Sequence, residues 1–391
     1  MTEPRPDCAV AHYHEIALKG GNRPMFIRRL TDNLRKAVQG LGKIRILSPR
    51  GRILLYLNEE TPWPILSERL SGIFGIANFS AAYRCPTEPE AIEALVNRLL
   101  DSKTFKTFRI SARRGDKAYP LTSMELNIRL GRHVQEKTRA RVDLEQPELT
   151  IHVEILQREA LVYFEKLGGP GGLPVGVSGH VLSLISGGID SPVASYLMMK
   201  RGCTIGFLHF HGYPHLTKAS LEKAEELVQH LTRHQFESRL YAVAFGEVQR
   251  LIVLNVPPPL RVVLYRRFML RIAEEIAHRE RAKAIITGEN LGQVASQTLD
   301  NLTVIQEAAR LPILRPLIGF DKDEIIETAK AIGTYPVSIQ PDQDCCRLFI
   351  PPHPSVAAQL NDIEKAERNL DVSGLVKMGL ETVERMAFTF P

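Results

Sequence analysis

Apolar positions recur along this chain with two periods, near two and near three to four, and the changes of period mark out its elements. Residues 9–14 read as a short strand. Over 25–38, Phe26, Leu30, Leu34 and Val38 fall on one side of a helix, with Arg28, Arg29, Arg35 and Lys36 mostly on the other, until Gly40 and Gly42 stop it. Strands at 44–47 and 53–57 flank a Ser48-Pro49 turn, and a helix from about residue 62 leads to a strand at 79–83. That βαββαβ order is the ferredoxin-like one. A second α+β unit follows: helix 88–100, strand 105–112, a helix through 128–134 opened by a Thr122–Glu125 capping box, and strands 149–155 and 160–165 around Gln157-Arg158-Glu159.

The stretch 168–179, GGPGGLPVGVSG, reads as a linker or a tight covering loop. Beyond it the pattern alternates regularly. Strands are expected at 181–185, 204–209, 240–245, 284–287 and 312–317, and helices after Ser191, at 220–231, 261–278 and 324–332, the last capped by Asp321 with Glu324 three residues on. Strands interleaved with helices imply a doubly wound parallel sheet, with ligand at the carboxyl ends of its strands. Four stretches stand at such ends: Ser186-Gly187-Gly188, His209-Phe210-His211, Gly288-Glu289-Asn290 and Asp321-Lys322. A short helical tail over 363–386 closes the chain.

Charge changes this picture in one half only. Residues 1–176 carry 27 Lys and Arg against 20 Asp and Glu, whereas 177–391 carry 23 against 24. Within 101–141 there are 11 basic and four acidic residues, among them Arg109, Arg113, Arg114, Lys117 and Arg132. Such a segment is either a solvated basic face or a phosphate-neutralising surface for nucleic acid. No apolar run approaches the length of a membrane span and no leader pattern opens the chain, so a cytoplasmic protein is expected. Five scattered cysteines suggest neither a disulfide framework nor a zinc site, and no metal ligands are assigned.

The strand, glycine loop and helix over 181–202, VLSLISGGIDSPVASYLMMKRG, form a phosphate cradle. Glycines admit a polyanion to the backbone, Ser186 and Ser191 offer hydroxyls, and the free N–H groups of a helix start face the loop. No GxxxxGK[ST] pattern occurs in the chain. SGGIDS instead resembles the pyrophosphatase loop (PP-loop) of enzymes that split ATP into AMP and pyrophosphate. RISARRGDKAYPLTSMELNIRLG with VDLEQPELTIHVEI resembles the THUMP domain, an RNA-binding module. YRRFMLRIA, ITGENLGQVASQTLDNL, ILRPLIGFDKDEII and IGTYPVSIQPDQDCC are similar to segments of the tRNA uracil 4-sulfurtransferase (4-thiouridine synthetase) family.

The resemblance implies a ferredoxin-like domain over 1–59, a THUMP domain over 60–167, a linker over 168–179 and an α/β PP-loop ATP pyrophosphatase domain over 180–391. It implies thiolation of uridine 8 of tRNA through an adenylated uracil. ATP would then be held by Leu184, Ile185, Ser186, Gly187, Gly188, Ser191, His209, Phe210, Arg266, Gly288 and Gln297, with Mg²⁺ bridging phosphates. Asp190, Lys322 and Cys345 would be catalytic, with Cys346 as neighbour or resolving thiol, and the five basic residues named above would meet tRNA. A homodimer is implied as well.

Longer family members carry a rhodanese domain whose cysteine bears the sulfur, and this sequence stops at Pro391 without one. Sulfur is therefore expected from a cysteine desulfurase, another carrier or free sulfide, and the family's role in making the thiazole of thiamine, tied to that domain in longer members, is left open by the sequence. Some relatives hold an iron–sulfur cluster on a CxxC pair where this chain has Tyr265 and Phe268, so no cluster is expected. Two rivals remain. One is a PP-loop enzyme adenylating a small molecule, against which the basic half argues; the other is a tRNA-binding protein with a vestigial loop, against which intact Ser186, Gly187, Gly188, Asp190 and Lys322 argue.

Overall fold

The computed structural model describes residues 4–49, 51–341, 349 and 351–391, in two compact units, Met1–Leu173 and Pro174–Pro391. Cys345 and Cys346 lie outside the described residues.

In the first unit the strands are β1 (Cys8–His12), β2 (Arg45–Leu47), β3 (Arg52–Tyr56), β4 (Asn78–Cys85), β5 (Thr107–Arg114), β6 (Arg141–Val142), β7 (Leu149–Ile155), β8 (Ala160–Tyr163) and β9 (Leu167–Gly168). The helices are α1 (Arg23–Ala37), α2 (Trp63–Ser71), α3 (Pro89–Leu100) and α4 (Ser123–Thr138). Strand order is β2-β3-β1-β4-β8-β7-β5-β6, with β9 beside β4. The first four are antiparallel, in the ferredoxin-like arrangement. β4 joins the two halves, because Asn78–Ala82 pairs with β1 while Tyr83–Cys85 pairs with β8. Both halves of the capping box form on α4, Glu125 N–H to Thr122 Oγ1 and Thr122 N–H to the Glu125 carboxylate. Ile92, Val96 and Leu99 of α3 and Leu126, Leu130 and Val134 of α4 pack on Phe108, Ile110, Ile151 and Val153 of the sheet. β9 leaves β4 through Gly169, where a Cβ would stand 2.3 Å from the carbonyl oxygen of Ile76, so only glycine fits.

On the other face the sheet closes on a buried carboxylate. Glu154 of β7 accepts from His12 Nε2 of β1 at 2.9 Å and from Tyr163 of β8 at 2.6 Å, and it pairs with Arg52 of β3. In a flat sheet β1 and β7 would stand about 14 Å apart, three strand spacings. Side chains that meet across that span require the sheet to curl about β4.

The second unit is doubly wound. Its strands are β10 (His180–Leu184), β11 (Thr204–His211), β12 (Glu237–Ala244), β13 (Ile285–Ile286), β14 (Ile313–Leu314) and β15 (Glu384–Thr389), in the order β14-β13-β10-β11-β12-β15. β10 to β14 are mutually parallel. Its helices are α5 (Asp190–Lys200), α6 (Ala219–Thr232), α7 (Gly246–Asn255), α8 (Arg261–Arg279), α9 (Leu299–Gln306), α10 (Lys322–Ala331), the short α11 (Tyr335–Ser338), α12 (Leu360–Glu367) and α13 (Val372–Glu381). α8 is the central helix of one face, burying Leu264, Phe268, Ile272 and Ile276 among side chains of β10–β13, α7, α9, α12 and α13.

The expected all-helical tail is half right. It holds α12 and α13, but Glu384–Thr389 is a strand, antiparallel to β12 in the register Glu237↔Thr389. β12 begins three residues before the expected strand and offers an unpaired edge, and pairing there outweighs the helical propensity of a six-residue segment. α7 and α9 were not expected; both are short, and their apolar spacing is too brief to display a period. After β12 the chain crosses back to β13, on the opposite side of β10, so the end of β10 is the switch point where an open α/β sheet parts into a crevice. Among the described residues no helix is long and apolar enough to cross a membrane.

Candidate active site

The loop after β10 is braced by its own serines. The Ser186 N–H donates to Ser191 Oγ at 2.9 Å, the Ser191 hydroxyl donates back to the Ser186 carbonyl at 3.3 Å, and the Gly188 N–H reaches Ser186 Oγ at 3.2 Å. These bonds hold the turn before any ligand arrives, with the first residues of α5 directed at it. Gly288, after β13, touches the same place: a Cβ there would lie 2.8 Å from Ser191 N and 2.9 Å from its Cα. Its lack of a side chain therefore serves the packing of a strand end on the first turn of α5.

Asp190 opens α5 and Lys322 opens α10, and Lys322 Nζ donates to Asp190 Oδ1 at 2.7 Å while Gln293 Nε2 donates to Oδ2 at 3.1 Å. A cation in a first helical turn is disfavoured by the helix dipole. Here the carboxylate of a neighbouring helix start offsets that penalty and holds the ammonium beside the loop.

Between the loop and α8 lies a cavity of about 430 Å³. Leu184, Ile185, Ser186, Ser191, His209, Phe210, Arg266, Gly288 and Gln297, expected to hold ATP, line it, as does Asp190, expected to be catalytic. Gly187 and Gly188 belong to the loop beside it. His209 is locked, its Nδ1 2.9 Å from the Ile185 carbonyl and its Nε2 3.3 Å from Ser220 Oγ, so it ties the end of β11 to the end of β10. Leu208, Phe210, Met269 and Leu270 make an apolar wall.

Sequence reasoning gave no role to Tyr265, Thr287 or Glu289, which also line the cavity. On α8, Val262, Tyr265, Arg266, Met269 and Leu270 follow the i, i+3, i+4, i+7, i+8 spacing of one helix face, the signal by which Tyr265 was findable. Among the described residues its hydroxyl is buried without a hydrogen-bond partner, as is Oε1 of Gln297, and burial pushes the phenol up to about 12. A buried polar atom left unpaired costs about 1–3 kcal/mol. Two such atoms in one cavity wall fit a ligand that supplies the missing partners.

The basic residues of the first unit divide. On β5, Arg109 and Arg113 alternate with Phe108, Ile110 and Ala112 and so lie on the sheet face away from α3 and α4. There they adjoin His152, which burial and then the charges of Lys166 and Arg109 push down to about 4. Arg114 donates to the Tyr119 carbonyl at 3.2 Å, and Lys117 is exposed. Arg132 stands on α4 among Glu93, Glu125 and Glu136. Arg129 beside it is consumed by Glu90 and Glu93.

Comparison with known proteins completes the description. Residues 176–372 match the family of the thiamine biosynthesis protein (ThiI), residues 9–80 its ferredoxin-like domain and residues 86–165 the THUMP domain. A probable tRNA sulfurtransferase of Thermus thermophilus is 47% identical over 379 residues, spanning 97% of this chain and 93% of its own. One from Moorella thermoacetica is 44% identical, spanning 96% of each. The crystal structure of a 4-thiouridine synthetase in complex with RNA and ATP superposes with a TM-score of 0.89 at 34% identity, over 98% of this chain and 100% of that one.

Proposed function

The chain belongs to the ThiI family of tRNA sulfurtransferases, enzymes that thiolate tRNA with ATP, and from that premise we propose that it converts uridine 8 of tRNA to 4-thiouridine by way of an adenylated uracil. The uracil O4 attacks the α-phosphorus of ATP, the bond to pyrophosphate breaks, and a sulfur nucleophile then adds at C4 and expels AMP. The observation that carries this reading is the self-braced Ser186-Gly187-Gly188 turn with the Asp190–Lys322 pair beside one partly apolar cavity.

Ser186, Gly187, Gly188 and Ser191 receive the departing pyrophosphate. Lys322 counters its charge. Arg266, exposed in part on the cavity wall, meets the α-phosphate, while Gln297, the ends of Leu184 and Ile185, and Phe210 hold the adenosine. Mg²⁺ suits the donor set, which is one carboxylate, Asp190, plus serine hydroxyls and the phosphates themselves; bound there, it would neutralise phosphate charge. Iron–sulfur clusters are held by thiolates, and Tyr265 and Phe268 provide none. Cys345, outside the described residues, is the proposed sulfur-bearing thiol, loaded by a cysteine desulfurase or another donor, and the enzyme is proposed to act as a homodimer. Arg109, Arg113, Arg114, Lys117 and Arg132 are the proposed tRNA contacts.

The test is incubation with ATP, Mg²⁺, unmodified tRNA and sodium sulfide, following pyrophosphate release and the near-ultraviolet absorbance of 4-thiouridine. tRNA-dependent pyrophosphate release with thiolation is expected. With a cysteine desulfurase and L-cysteine in place of sulfide, whose persulfide sulfur can pass to a thiol, thiolation is expected to be lost in Cys345→Ser, and equal thiolation by that variant would remove Cys345 from the sulfur path. Absence of tRNA-dependent pyrophosphate from the wild type would overturn the adenylation scheme.

A further inference from the structure

Beside the phosphate loop two adjacent strands end in one ionic cluster. β13 leads into Thr287 and Glu289, and β14, paired with it through Ile286 and Leu314, delivers Arg315. Glu289 is 4% exposed. Its Oε1 accepts from Arg266 at 2.8 Å, and its Oε2 accepts from Arg315 Nε at 2.6 Å and from the Thr287 hydroxyl at 2.9 Å. Arg315 makes a second bond, donating to Gln306 Oε1 at 2.8 Å. Of the two guanidiniums, Arg266 lines the cavity and Arg315 does not.

Resting on the reading of this cavity as the ATP site, we propose that Glu289 is a positioning residue for the adenylation step, aiming the Arg266 guanidinium at the α-phosphate. Both carboxylate oxygens are engaged by protein donors, so Glu289 acts through Arg266 and not on the substrate. It also screens two cations from each other. Arg315 and Thr287 fix the carboxylate, the carboxylate fixes Arg266, and one positive charge is left over to face an anion. A long side chain held in this way loses little freedom when phosphate arrives, which is how a residue away from the reacting atoms speeds a step.

The experiment is steady-state pyrophosphate release by wild type, Glu289→Gln, Arg266→Ala and the double variant, with ATP affinity measured alongside by calorimetry. Glu289→Gln keeps shape and loses charge. It is expected to lower kcat/KM for ATP about tenfold, mainly in kcat, because the charge Arg266 meets is greatest in the transition state. The double variant is expected to be no slower than Arg266→Ala, since residues acting as one unit are not additive. Losses that multiply, or a Glu289→Gln enzyme with wild-type kinetics, would overturn the proposal. Should Glu289→Gln fail to fold because Arg315 is stranded, Glu289→Gln with Arg315→Gln removes the stranded charge, and the same loss in kcat is expected. A wild type that binds no ATP would instead overturn the reading of the cavity.

Discussion

At the scale of single residues, the site depends on small atoms and short bonds. Gly288→Ala would drive a methyl into the backbone of Ser191, where neither side can yield cheaply. Overpacking of this kind costs about 1–3 kcal/mol, so ATP affinity and the unfolding temperature should fall together, which calorimetry and a thermal melt would show. Lys322→Ala should behave differently. Its side chain is 44% exposed, and exposed pairs add about 0–1 kcal/mol, so the melt should scarcely move. Pyrophosphate release should nonetheless drop about 100-fold, the scale of removing one transition-state contact; a loss below threefold would remove Lys322 from the chemistry. Resemblance named both residues, but the Asp190–Lys322 bond spans 132 positions of sequence, and no local pattern announces such a partner. Sequence placed Glu289 at a strand end facing the ligand, but its partners were illegible for the same reason, since Arg266 and Arg315 come from other elements.

At the scale of elements, what was legible followed from local physics. The capping boxes of α4 and α10 stand as read, because a threonine or aspartate three residues before a glutamate satisfies its bonds within one turn. β15 was illegible because an edge strand is made by its partner. The curl of the first sheet was illegible too, because Glu154 of β7 meets His12 of β1 and Arg52 of β3 across more than 100 positions of sequence. Burial would raise the pKa of this carboxyl, but the hydrogen bond and charge of His12, the charge of Arg52 and the hydroxyl of Tyr163 outweigh it and hold it at about 2, against an ordinary 4.5. A depressed folded-state value means the ionised form stabilises the fold at pH above 4.5, and that contribution fades as the pH falls toward 2. It amounts to roughly 3 kcal/mol at neutral pH. Glu154→Gln should therefore destabilise the protein at pH 7 by an amount of that order and flatten the loss of stability between pH 4.5 and 2. Denaturant titrations of both proteins across that range would show parallel slopes if Glu154 were not the group responsible.

At the scale of the molecule, the charge is partitioned between a basic first unit and a nearly neutral second one, and the partition predicts how tRNA binding responds to salt. Each phosphate neutralised by a cation releases counterions, so the logarithm of the affinity falls with the logarithm of salt concentration by roughly 0.7–0.9 per contact. A count of arginines overstates those contacts, because Arg129 and Lys137 are already paired with Glu90, Glu93 and Asp101, and Arg132 shares its hollow with Glu125 and Glu136, whose charge repels a phosphate. Arg109 and Arg113 share the opposite face of the sheet, and the depressed pKa values of His152 and Lys166 there record, after burial, the positive potential those arginines help to create. An anion arriving on that face relieves this potential, whereas one arriving at α4 meets carboxylates first. Arg109→Gln with Arg113→Gln should thus lower the salt slope of tRNA binding by roughly 1.4 to 1.8, and Arg132→Gln by much less than one. Filter binding of unmodified tRNA from 50 to 300 mM salt measures both. If the slope fell most for Arg132→Gln, tRNA would lie on the helical side, and the sheet-face arginines would owe their alternation to solvation alone.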